Sequence, residues 1–304
     1  MKRLNGLLVI VVIVISAVLV IGCTTMSRDN GNGTKPESLL ETLEVAGGIF
    51  MFGRNGNEEG GTLTEVAESF HIGKYPVTQG QWKAVMGENP SGFDGENAYS
   101  YGSYDYEPAT VKFDRDKLPV ERVSWYDVLV FANRLSMKEG LQPAYRIKGE
   151  TDPAKWGEVP RTGNGEWDAV TIIEDANGWR LPTERQWEFA AKGGTKSAGY
   201  RGDETDTYFR YSGSDTIGNV AWYGENGDLR THEVGNRKAN ELGLYDMSGN
   251  VWEWCFDTWD YSDNFRVLRG GSWEDLAWNV HLAYRSYLVP HLRYGYIGFR
   301  LLRP

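Results

Sequence analysis

Cysteine is nearly absent: Cys23 and Cys255 are the only two in 304 residues. Cys23 ends an N-terminal apolar run, so Cys255 alone is left to the folded part. An intrachain disulfide framework is excluded, and stability must come from an apolar core. Histidine is scarce too, and His71, His232, His281 and His291 show no metal-ligand spacing, which argues against a zinc site. Positive charge is in deficit, with 32 Lys and Arg against 42 Asp and Glu for a formal charge of −10. No basic stripe compensates, and phosphate binding needs clustered Lys and Arg, so nucleic acid is excluded as a partner. Internal repeats and a Gly-x-Ser-x-Gly nucleophile elbow are also missing; Ser272 sits in a Gly-Gly-Ser turn instead.

The one long apolar run is N-terminal. Lys2 and Arg3 precede Leu7 to Ile21, and the run stops at Gly22-Cys23, the pattern of a secretory signal. Val20-Ile21-Gly22-Cys23 resembles a bacterial lipobox, in which the Cys23 thiol is acylated and becomes the mature N-terminus. The expected organisation is a signal peptide over residues 1–22, a flexible polar tether over 23–44 and one domain over 45–304. The alternative is an uncleaved anchor, because the run nearly spans a bilayer. Either way the chain is attached to a membrane, and the lipid reading places it in the bacterial cell envelope, on the exposed face of the outer membrane.

Within the domain, 12 Trp, 17 Tyr and 11 Phe supply buried area, while 37 Gly and few helical patterns imply much irregular backbone. Three segments carry helix start signals. Thr78 with Gln81, Ser124 with Asp127 and Thr183 with Gln186 read as capping boxes, and glycines follow each helix at Gly87, Gly140 and Gly193. Strands are predicted over Ile49–Phe52, Phe70–Tyr75, Val267–Gly270 and Gly298–Leu302 from β-branched and aromatic content. The class is α+β.

Several motifs occur in a fixed order: Gly47-Gly-Ile-Phe-Met-Phe-Gly53, Tyr75-Pro-Val-Thr-Gln79, Leu118-Pro-Val-Glu-Arg-Val-Ser-Trp125, Gly178-Trp-Arg-Leu-Pro-Thr-Glu184, Asn240 to Trp254, Arg269-Gly-Gly-Ser-Trp273 and Gly298-Phe-Arg300. Together they resemble the formylglycine-generating-enzyme, or sulfatase-modifying-factor, family. That resemblance implies a C-type-lectin-like fold with adjacent terminal strands. Enzymes of the family oxidise a sulfatase cysteine with a copper-binding cysteine pair that follows the Gly-Gly-Ser-aromatic motif. Asp275 and Val280 stand at the nearest equivalent places here, and neither can replace a thiolate as a soft copper ligand. Cys255 lies between aromatics and reads as a small buried hydrophobe. The resemblance also allows calcium held by Asn250, the Val251 carbonyl and Glu253; the bland reading is a turn followed by buried Trp252 and Trp254.

The segment of about 274–297 reads differently. Framework residues Ala277, Ala283, Arg285, Pro290 and Arg293 alternate with side chains of no single type: Asp275, Leu276, Trp278, Tyr284, Ser286, Tyr287, Leu288, Val289, His291, Leu292, Tyr294 and Tyr296. From Trp278 to Tyr284 the alternation fits a half-buried strand; beyond Ser286 neither period holds. An aromatic loop of this kind has the composition of a paratope. It is similar to the variable region of retroelement-diversified proteins, of the Treponema variable protein type. In these, adenines of Asn codons are randomised, and every residue named except Trp278 is reachable that way. The functional expectation is a surface-displayed lipoprotein that binds an unidentified protein or glycan through this site, is not an enzyme and requires no cofactor. A formylglycine-generating oxidase and a structural envelope lipoprotein are the alternatives.

Overall fold

All three capping boxes form. In the computed structural model, which describes residues 38–56, 58–93, 100–101, 104–105 and 113–304, the Thr78, Ser124 and Thr183 side chains each accept from the backbone N–H three residues on. The signal peptide, Cys23 and residues 23–37 of the expected tether lie outside the described residues.

The chain runs β1 (Thr42–Val45), β2 (Gly48–Phe52), β3 (Thr62–Val66), β4 (Phe70–Gly73), α1 (Gln79–Met86), β5 (Ser100–Tyr101), β6 (Tyr104–Asp105) and α2 (Trp125–Lys138). It continues through β7 (Tyr145–Arg146), α3 (Gly165–Asp168), β8 (Thr171–Ile172), α4 (Glu184–Ala191), α5 (Ile217–Val220), β9 (Trp252–Trp259), β10 (Ser262–Arg269), β11 (Arg285–Leu288), β12 (Ile297–Gly298) and β13 (Leu302–Arg303). Order begins earlier than the sequence suggested. Leu40 is buried and Leu39 N–H donates to Glu139 at 2.8 Å, so residues 38–44 belong to the domain rather than to a tether. The apolar Leu39-Leu40 pair supplies the reason.

Two sheets matter for the site. In the first, β4 lies between β1 and β13, which brings the terminal strands into one sheet. The second has the order β11-β10-β9-β12, with β12 parallel to β9. The expected strand over Gly298–Leu302 is broken into β12 and β13, because Phe299 turns into the core and its carbonyl accepts from Val77 N–H. One apolar cluster surrounds α2, where Trp82 stacks on Phe131 at 5.1 Å with Phe299 on edge. The other lies under α4. Three buried indole N–H groups are matched to acceptors: Trp125 to Cys255 O, Trp254 to Val123 O and Trp187 to Glu253.

A chain of charges crosses the second cluster. Glu184, Glu188 and the C-cap Lys192 recur at four-residue intervals and so share one face. Lys192 pairs with Glu188 at 2.7 Å, Arg269 bridges Glu188 and Glu184, and Arg285 carries the chain outward from Glu184 to Asp260. Burial lowers the Lys192 pKa. Arg269 also donates to the carbonyls of Leu282 and Ala283, so the network reaches the segment of interest.

Arg269→Met removes the central member and leaves two buried carboxylates short of partners. Urea melts should show a loss of about 3–5 kcal/mol. A loss within the error of the melt would mean the charges are dispensable to the fold.

Candidate functional site

The site is built on the Gly270-Gly-Ser-Trp273 turn. Gly271 has φ +74, and a Cβ there would lie 2.4 Å from a Val280 methyl, so only glycine lets Val280 pack beneath it. Ser272 donates through Oγ and N to the Asp275 carboxylate, and Gly224 N–H donates to the Asp275 carbonyl. Trp273, 1% exposed, donates its indole N–H to Gly295 O at 3.2 Å. Asp275 was expected among the ligand-binding side chains. Its carboxylate is instead turned inward as the cap of this turn, and burial raises its pKa.

The strand expected from Trp278 to Tyr284 does not form. Ala277–Val280 is a 3₁₀ turn, in which Val280 buries completely while Leu276 and Trp278 are 59% and 53% exposed. Conversely β11 is a true strand, paired with β10 in the register Val267↔Tyr287 and Leu268↔Ser286, although no period was legible after Ser286. Its pleat divides the candidates. Ser286 and Leu288 share one face, and Leu288 joins Tyr284 and Tyr296 against the α2 cluster. Tyr287 points the other way, 4.5 Å from Trp259 and 5.0 Å from Phe265. The candidate residues of this segment therefore lie on two faces.

The larger face gathers Trp278, Tyr284, Tyr294 and Tyr296. Trp278 meets Tyr284 edge to face at 5.1 Å, and Tyr294 stacks on Tyr296 at 5.2 Å. Trp252 underlies the first pair, with its ring 6.0 Å from Tyr284, and its backbone N–H donates to Tyr296 O. Val289, His291 and Leu292 are half-buried in the loop that follows β11. That loop is held by Arg293, which grips Asp127 through two hydrogen bonds of 2.6 and 2.9 Å. Sequence reasoning missed Trp252 as the floor and Arg293 as the clamp. The first was signalled by the Trp252-Glu-Trp254 spacing in a buried motif; for the second no local signal exists, since its partner is 166 residues away.

The calcium donors do not fit an ion. Both Glu253 oxygens are taken by Arg300, and one also by Trp187, in a fully buried pair. Asn250, with φ +65, is locked to both sides of the His232 backbone. Burial shifts the neighbours of this turn in opposite senses: His232 falls to about 4 and Asp246 rises to about 6. His232 is therefore neutral at pH 7 and donates through Nε2 to Gly227 O. Cys255 is completely buried, and desolvation pushes its thiol well above the usual range. That leaves a group unsuited to nucleophilic or redox work.

Exposure sorts the aromatic positions by their expected cost. Trp278→Ser and Tyr294→Ser should each change stability by no more than about 0.5 kcal/mol. Tyr284→Ser and Tyr296→Ser, half-buried on the core, should cost about 1–3 kcal/mol, and Trp273→Ala about 3–5 kcal/mol. Urea melts of the single variants check this order. Equal large losses at Trp278, Tyr294 and Tyr296 would make the whole patch core.

Known proteins share this architecture. A protein of Paenibacillus barcinonensis named chaperone protein LppX is 38% identical over 278 residues, covering 84% of this chain and 85% of its own. A Bos taurus protein named inactive C-alpha-formylglycine-generating enzyme 2 is 29% identical over 267 residues, covering 81% of this chain and 79% of its own. Among solved structures, Treponema denticola variable protein 1 superposes with a TM-score of 0.72 at 35% identity, over 86% of this chain and 95% of that one. The sulfatase-modifying factor enzyme 1-like domain matches residues 29–304, and the chain belongs to that family, in its α+β, C-type-lectin-like fold.

Proposed function

We propose that this chain is a lipid-anchored binding protein, displayed on the bacterial outer surface, whose C-terminal patch engages a protein or glycan ligand without catalysis. One observation carries the reading: outward side chains on a fixed backbone. Leu276, Trp278 and Tyr294 stand open to solvent, while the carbonyls of Pro290, Tyr294, Gly295 and Tyr296 are each held by a donor outside the segment. Rigid amphipathic rings give contact area at low entropic cost. The likeness to the Treponema denticola variable protein supports diversification of these positions by a retroelement. The bovine relative named inactive supports the absence of catalysis. No cofactor is needed for such binding. The alternative of a purely structural envelope lipoprotein leaves the exposed Trp278 and Leu276 without a task.

A second reading has its own support. The name of the Paenibacillus barcinonensis relative is that of a chaperone, and an exposed apolar patch also suits transient capture of a protein client. The DNA beside the gene separates the two. Diversification requires a near-copy of the 3′ end that differs mainly at adenines, together with a reverse transcriptase; without them the chaperone reading stands. In both readings a sulfatase cysteine peptide incubated with the chain, with or without copper, should stay unconverted by mass spectrometry. Conversion at the rate of a two-cysteine family member would restore the oxidase.

The anchor is tested separately. Growth with a radioactive fatty acid should label the wild-type chain and not Cys23→Ala, because acylation needs that thiol. Equal labelling of both would place the lipid elsewhere.

A further inference from the structure

A cleft of about 660 Å³ is lined by β3, the end of β9 and the first turn of α4. The pleat and the register Phe52↔Thr62 and Phe50↔Thr64 put Phe52, Thr62 and Thr64 on one face, and all three line it. Thr258, Asp260 and Arg285 line it from the other sheet. Arg285 also lies over Trp259, 4.7 Å from the ring centre, so the cleft adjoins a group of rings. Trp259 meets Tyr287 at 4.5 Å and Tyr261 at 6.3 Å, and Phe265 meets Tyr287 at 5.0 Å. Register places Tyr287 on the same side of the sheet as Val267, which the cluster under α4 covers. Tyr287, one strand further out on the edge, is 47% exposed, and Tyr261 is 88% exposed. Phe265 joins none of the apolar clusters of the described residues.

We propose that this cleft and the rings beside it form a binding site for a neutral oligosaccharide. A pyranose turns a C–H face to one side and carries hydroxyls, each both donor and acceptor, round its rim. Tyr261 and Tyr287 offer rigid ring surface to the first. The cleft answers the second with carboxylates that only accept, guanidiniums that only donate and threonines that do both. The Thr62 and Thr258 hydroxyls and the carboxylates of Glu65 and Glu68 form no hydrogen bond or ion pair among the described residues, and so are open to a ligand. Charge decides against other occupants. The lining holds Glu65, Glu68, Glu184, Asp257 and Asp260 against Arg180, Arg185 and Arg285, an excess of negative charge that repels a sulfated or uronate glycan and an anionic lipid surface. A protein partner anchors itself in apolar pockets, and only Phe52, Val66 and Ala67 of this lining are apolar.

This site lies on the Tyr287 face of β11, apart from the face of Trp278 and Tyr294. Thr62, Thr258, Trp259, Asp260 and Tyr261 all precede residue 274, so only Tyr287 and the framework residue Arg285 come from the C-terminal segment. Arg285 is fixed by its pairs with Glu184 and Asp260, which hold the rings and the cleft in one arrangement. The site goes beyond the patch reading and does not require it.

The test screens the full chain against immobilised oligosaccharides of glucose, mannose, galactose and N-acetylglucosamine, beside heparin and polygalacturonate. The neutral glycan retained is then titrated into ¹⁵N-labelled protein while the Trp259 indole N–H resonance is followed. It should bind to saturation and shift that resonance. Tyr261→Ala/Tyr287→Ala should weaken the affinity about ten-fold through the loss of two ring contacts, with the wild-type melting profile retained because both rings are exposed. Trp278→Ser/Tyr294→Ser should leave the titration unchanged, so failure of the patch reading is visible on its own. Retention of no neutral glycan, or unchanged affinity in the Tyr261/Tyr287 variant, overturns the proposal. So does tighter retention by heparin or polygalacturonate, which would assign the cleft to a polyanion.

Discussion

Arg269 is the constraint on which the rest of the structure turns. It enters the interior from β10, is completely buried, and answers two carboxylates of α4 while holding the carbonyls of Leu282 and Ala283. Lys192 continues the same chain to Met51 O, and Glu188 also receives Gly53 N–H, so β2 is drawn in as well. Desolvating charges offsets much of what their attraction returns. The yield of such a network is orientation. Only one placement of α4, β10 and the 282–285 segment satisfies all of these groups, and Arg285 extends that placement to Asp260 on the hairpin. The Gly-Phe-Arg ending repeats the device: Arg300 is buried against Glu253 and gives its remaining donors to Gly73 O and Tyr245 O.

From this follows a separation of backbone from side chain in the C-terminal segment. Pro290 O is held by Trp125 N–H, Tyr294 O by Arg122 N–H, Gly295 O by the Trp273 indole and Tyr296 O by Trp252 N–H. Every one of these donors lies outside 274–297. The path of the loop is thus written by residues that a change at Trp278 or Tyr294 does not touch. Tolerance stops where a ring also packs on the core, as at Tyr284 and Tyr296, and those positions must stay apolar enough to cover Trp252.

What was legible in the sequence was local. Each capping box needs only residues three apart, and all three helices start where Thr78, Ser124 and Thr183 place them. The ordered motifs carried the fold through their resemblance, although their glycines answer to atoms far along the chain, as Gly178 does to Gln142 O and Gly298 to Val120 O. Contacts distant in sequence were not legible. β11 has no period because its two faces meet different neighbours, Trp259 and Phe265 on one side and the α2 cluster on the other, both partly apolar. The Trp278–Tyr284 alternation looked like a strand, but the segment opens with a 3₁₀ turn of three-residue period, which turns Trp278 outward and Val280 inward. Glu253 read as a cation ligand since nothing local announces that Arg300, 47 residues on, has claimed it.

The same reasoning explains why Leu276 and Trp278 stand open to solvent. Asp275 and Val280 on either side of them both face inward. Asp275 ties back to Ser272, and Val280 seats beneath Gly271 where no Cβ intrudes. Between two inward anchors five residues apart the chain must bulge, and a single 3₁₀ turn accommodates it. Leu276 and Trp278 lie on the outside of that bulge, with no core within reach. Their exposure is therefore a consequence of how the turn is fastened. A side chain of another shape at either place would be displayed in the same position, and this is the property a variable binding surface needs from its scaffold.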